Sequence, residues 1–66
     1  MINDKEDIVR IKVAERIEEK YLPEMINDPQ FLVRKVVASR ISREYLPQMQ
    51  NDEHESVRNI VIERLK

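Results

Sequence analysis

VRKVVASRISREYLPQMQND, residues 33–52, nearly restates VRIKVAERIEEKYLPEMIND, residues 9–28. A third stretch, VRNIVIERL at 57–65, begins the same phrase again. Asn-Asp marks the period: it occurs at 3–4, 27–28 and 51–52, so the unit is 24 residues long. With residues 3–26 set over 27–50, 12 of 24 positions are identical, namely Asn, Asp, Val, Arg, Val, Ala, Arg, Ile, Tyr, Leu, Pro and Met. Residues 51–66 form a third, truncated copy that keeps Asn51, Asp52, Val57, Arg58, Val61 and Arg64. A repeat of this kind decides the architecture before any other feature is considered. Residues 1–66 read as one repeat domain with units 3–26, 27–50 and a shortened 51–66.

Each copy reads as one helix and one corner. Asp4, Asp28 and Asp52 are suited to N-cap positions, where a carboxylate accepts from the free amides of the first turn. Pro29 then falls at the first helical position, where a missing N–H costs nothing. Asp52 and Glu55 have the spacing of a capping box. Helices are predicted over 5–20, 29–44 and 53–65. They stop at Leu22-Pro23 and Leu46-Pro47, because proline drives the preceding residue out of the helical region. Only three residues separate each proline from the next Asn-Asp, which leaves room for a single 3₁₀ turn. HEAT, armadillo and tetratricopeptide units are all longer than this.

The pattern Asn-Asp-Pro-x-x-Leu-Val-Arg-x-x-Val-Ala-x-Arg-Ile, residues 27–41, followed by Leu46-Pro47, resembles the leucine-rich repeat variant family. The resemblance covers nearly the whole chain. It implies an all-α fold: a short right-handed superhelix in which α-helices alternate with 3₁₀ helices, here with about 2.7 units of 24 residues. The best-known member of that family carries a separate iron–sulfur cluster bound by cysteines. This chain has no cysteine, so that cofactor does not carry over.

Two arginines recur in each copy: Arg10 and Arg16, Arg34 and Arg40, Arg58 and Arg64. At about 100° per residue, Val33, Val37, Ile41, Leu32 and Val36 span an arc of about 180°, with Ala38 at its border. Arg40 lies inside that arc and Arg34 on its rim. A guanidinium cannot stay unpaired in an apolar seam without a cost of several kcal/mol. It either lays its methylenes on the seam and reaches water, or it pairs with a partner of the same period. Asp4, Asp28 and Asp52 supply one carboxylate per unit, so a structural Asp–Arg ladder is expected between helix starts and arginines of the same or a neighbouring copy.

Composition removes many functions. Twelve basic and thirteen acidic residues give a net charge of −1, with 38% charged and 41% hydrophobic residues. That is a folded composition, and its near balance gives no global reason to expect nucleic acid. Glycine is absent, so no glycine-rich phosphate loop exists. MINDKED has no apolar core of a leader, and no run is long enough to span a membrane. With no cysteine, no disulfide is expected, and the expected location is cytoplasmic. His54, the single histidine, has no second histidine to complete a zinc site and reads as a surface residue. Tyr21 and Tyr45 read as corner packing, and Met25 and Met49 as core filler. No nucleophile, base and orienting group come together, so no enzyme, substrate, cofactor or metal is expected.

A chain of 66 residues buries only about 60% of its unfolded surface. In the third copy Ser56 replaces Ile8 and Leu32, a polar change suited to a terminal unit, whereas Ile62 replaces Ala14 and Ala38. With no Leu-Pro turn after Leu65, the last helix is expected to be bare, and Phe31, Ile60, Ile62 and Leu65 form the expected interaction edge. The expected function is a non-enzymatic module binding a protein partner or a second copy of itself. The alternative is a nucleic-acid-binding module using Arg10, Arg34 and Arg58, with Lys12 and Lys35 nearby.

Overall fold

A computed structural model describes residues 5–66, with side chains from Ile8 onward; Asp4, expected as the first rung of the ladder, lies outside the described residues. The described chain is all-helical. Three α-helices, α1 (Lys5–Arg16), α2 (Phe31–Arg40) and α3 (Glu55–Leu65), alternate with two 3₁₀ helices at Glu19–Met25 and Arg43–Met49. α2 packs between α1 and α3; the first 3₁₀ helix packs on α2 and the second on α3.

The helices are shorter than the sequence predicts, and the leucine-proline corner is not a turn that follows them. α1 and α2 end at Arg16 and Arg40, and Glu18 and Ser42 turn extended, with ψ of 145° and 144°. The 3₁₀ helix then starts before Leu-Pro and carries Pro23 or Pro47 inside it. Proline removes an N–H and clashes with an α-helical carbonyl four residues back. A break well upstream leaves the proline in a short i→i+3 segment. Tyr21 N donates to Glu18 O at 2.9 Å, and Tyr45 N to Ser42 O at 3.0 Å.

The helix starts also differ. The N-caps of α2 and α3 are Gln30 and His54, not Asp28 and Asp52. Each aspartate lies two residues earlier and closes an Asx turn: Gln30 N donates to Asp28 Oδ1 at 2.9 Å, and His54 N to Asp52 Oδ1 at 2.8 Å. Pro29 therefore precedes the cap, and Asp52 and Glu55 form no capping box. His54 is half-buried rather than simply exposed. Its Nδ1 accepts from Ser56 N at 3.1 Å, and its ring stacks on Phe31 with centroids 3.7 Å apart.

The core contains Ala14, Leu22, Ile26, Val33, Val37, Ala38, Ile41, Leu46, Met49, Val57 and Val61. Leu22 and Leu46 are fully buried at matching places in the two 3₁₀ helices, which explains why Leu-Pro recurs: proline shapes the segment and leucine helps fix it to the next helix. Tyr45 is half-buried against the core and Tyr21 is exposed; Met49 is buried and Met25 half-buried.

Candidate interaction surface

Aspartates and arginines meet in a continuous chain along the molecule. Arg10 Nε donates to Asp28 Oδ2 at 3.1 Å. Arg34 Nε donates to Asp52 Oδ2 at 2.8 Å and Nη2 to Asp52 Oδ1 at 3.2 Å, a two-pronged contact. The remaining prong, Nη1, donates to Asp28 O at 2.7 Å, and Arg58 Nη1 repeats this contact on Asp52 O at 2.7 Å. Each aspartate thus takes donors from three residues: the amide two residues on, the arginine 18 residues back, and the arginine six residues on. Arg34 is buried, so this network is what makes a guanidinium tolerable at that depth.

The second arginine of each copy does something else. Arg40 Nη1 donates to Ala14 O at 2.5 Å, and Arg64 Nη1 to Ala38 O at 3.0 Å and to Ile41 O. No aspartate is involved, so Arg40 and Arg64 are not rungs of an Asp–Arg ladder. These acceptors are carbonyls at the C-terminal ends of α1 and α2, which an α-helix cannot satisfy internally. A left-handed glycine usually closes such an end. This chain has no glycine, and an arginine from the following helix takes over part of that task. Arg43 Nη1 donates to Arg64 O at the end of α3. Arg16, the first member of the Arg40–Arg64 series, is exposed and has no hydrogen-bond or ion-pair partner among the described residues.

Burial reveals that each helix has two distinct faces. Val57 and Val61 on α3 are fully buried, and among the described residues α2 and the second 3₁₀ helix are the main elements packed against it. The valine face therefore looks back toward the preceding helix. Val33 and Val37 take the same positions on α2 and are also fully buried. Their counterparts on α1, Val9 and Val13, are 57% and 42% exposed. Alanine marks the opposite face. Ala14 and Ala38 are fully buried under the following helix, whereas Ile62 in their place is 52% exposed.

The open valine face is a shallow groove of about 440 Å³ lined by Val9, Lys12, Val13, Arg16 and Ile17. It lies at the end opposite to the expected edge. Of the residues expected there, Phe31, Ile60 and Leu65 pack against the core, and Ile62 alone is well exposed. The truncated third copy points to a bare end after α3, but the valine stripe faces backward, so the larger apolar exposure falls on α1. The sequence contains a signal for this: the valines persist in the third copy, while the alanine does not.

A second concavity, about 510 Å³ and mostly polar, runs between the two Asx corners and is lined by Asp28, Arg34, Asp52 and their neighbours. Its carboxylates are already engaged by arginines. Among the described residues no three His, Cys, Asp or Glu side chains group to hold a metal ion, and no helix is long and apolar enough to cross a membrane. No family model matches this chain, and no curated protein or solved structure matches it.

Proposed function

We propose that the chain is a non-enzymatic helical-repeat module, of the right-handed superhelical kind its resemblance to the leucine-rich repeat variant family implies, and that it works by binding protein through the outer face of α1. One observation carries the reading: Val9 and Val13 are open where the same positions in α2 and α3 are fully buried. A helix face built to be covered, and left uncovered beside Lys12 and Arg16, has the apolar centre and charged rim of a docking site. The alternation of α and 3₁₀ helices supports the architectural part. The nucleic-acid alternative has less behind it, because Arg10 and Arg34 already hold Asp28 and Asp52.

The test is a photo-crosslinking side chain placed at Val13 and, as a control, at exposed Glu44 in the second 3₁₀ helix. A discrete protein adduct at position 13 and none at 44 is the expected result. No adduct at 13, or equal labelling at both, would contradict the reading. A gel shift with single- and double-stranded nucleic acid at low salt, where phosphate contacts are strongest, is expected to show no complex.

A further inference from the structure

We infer that the occupant of the α1 groove is the outer face of α3 from a second copy of the chain, so that copies stack head to tail. The inference rests on the reading of that groove as a docking site and names its partner.

The internal junctions state what this face accepts. α2 and α3 each bury their valines where they pack on the helix before them, whose alanine is buried too, and each sends an arginine to that helix's terminal carbonyls. α1 has the same valines and the same arginine, Arg16, with neither a helix to cover the valines nor a carbonyl for the guanidinium among the described residues. α3 has the complementary deficit. Ile62 stands at the alanine position, exposed. Arg43 Nη1 takes the Arg64 carbonyl at the end of α3, and the Ile62 carbonyl, earlier in the same turn, is the one that matches Ala14 and Ala38.

Charge points the same way. Lys12 and Arg16 on the groove are exposed and basic, whereas on α3 Glu55 is exposed and acidic and Glu63 is exposed and paired with Lys66 at 3.2 Å. In the stacked pair Arg16 donates to the Ile62 carbonyl, repeating the contacts of Arg40 and Arg64. Ile62, bulkier than alanine, supplies apolar area to the junction. The contact is heterologous: one face of each copy meets a different face of the next.

Heterologous pairing gives a decisive experiment, in which Val13→Glu removes one face and Ile62→Glu the other. Both residues are exposed, and circular dichroism confirms that each variant is folded. Sedimentation velocity over a concentration series is expected to show growing assemblies for the native chain and monomers for each variant alone. An equal mixture of the two variants is expected to give a one-to-one complex that grows no further, because each supplies the face the other lacks. Arg16→Ala is expected to weaken the native association about tenfold.

Three results would overturn the inference: a mixture that stays monomeric, an Ile62→Glu variant that still associates (which would mean pairing of α1 with α1), or a native chain monomeric throughout. A monomeric native chain together with a position-13 adduct to another protein would remove self-stacking and leave the docking site standing. Absence of both would remove the docking site as well.

Discussion

Val13 and Val37 occupy the same place in two copies of one sequence phrase, yet Val37 is sealed in the core and Val13 faces solvent. The difference lies in what stands before each helix. α2 has α1 and the first 3₁₀ helix behind it, whereas α1 has no described element there. The arginines follow the same gradient. Arg34 is 9% exposed and grips Asp52 with two prongs; Arg10, on the outer helix, is 33% exposed at its contact with Asp28. Repetition in sequence therefore does not imply equal energetics, and a side chain's worth depends on how many neighbours its copy has.

The sharpest way to break this comparison is a charge in each valine position. Val37→Glu buries an unpaired carboxylate at a cost of several kcal/mol, against a total stability of roughly 3–10 kcal/mol for a domain this size. Loss of the helical circular dichroism signal is expected. Val13→Glu in the dilute chain is expected to change unfolding free energy by no more than about 0.5 kcal/mol.

The ion pairs give the next largest contrast. Arg34→Ala strands the Asp52 carboxylate at depth and is expected to cost about 3–5 kcal/mol in urea unfolding. Arg10→Ala is expected to cost about 1 kcal/mol or less, and its effect should shrink in high salt while that of Arg34→Ala persists. Equal losses at the two sites would mean that burial does not grade the network.

His54 offers a smaller effect. It caps α3 through Nδ1 and stacks on Phe31, so His54→Ala is expected to cost about 1–2 kcal/mol, read from the unfolding midpoint. An unchanged midpoint would show that neither contact stabilises the α2–α3 junction.

Much of this was legible in the residues. The 24-residue period located three helices and two corners, and the pairing of once-per-copy aspartates with Arg10 and Arg34 follows from the cost of a lone guanidinium in an apolar seam. The helix ends were not legible. Glu18, Glu19 and Lys20 have good helix propensity, and Pro23 alone forbids the α-helix no earlier than Glu19; the docking of the Leu22 segment on the next helix accounts for the still earlier exit at Ile17. The role of Arg40 and Arg64 was also hidden, because their partners are backbone carbonyls, which carry no residue-type signal. The open face was misplaced for a related reason: a helical wheel gives an arc its width and not its direction along the stack.

Accessibility of the valine positions tests the central claim most directly. The chain has no cysteine, so Val13→Cys, Val37→Cys and Val61→Cys each carry a single thiol. Their labelling rates can be compared at a concentration where the chain is monomeric. The account predicts that Cys at position 13 reacts close to the rate of a free thiol, while those at 37 and 61 react only through unfolding. Protection of position 13 equal to that of position 37 in the monomer would contradict it, because α1 would then have no open face to offer.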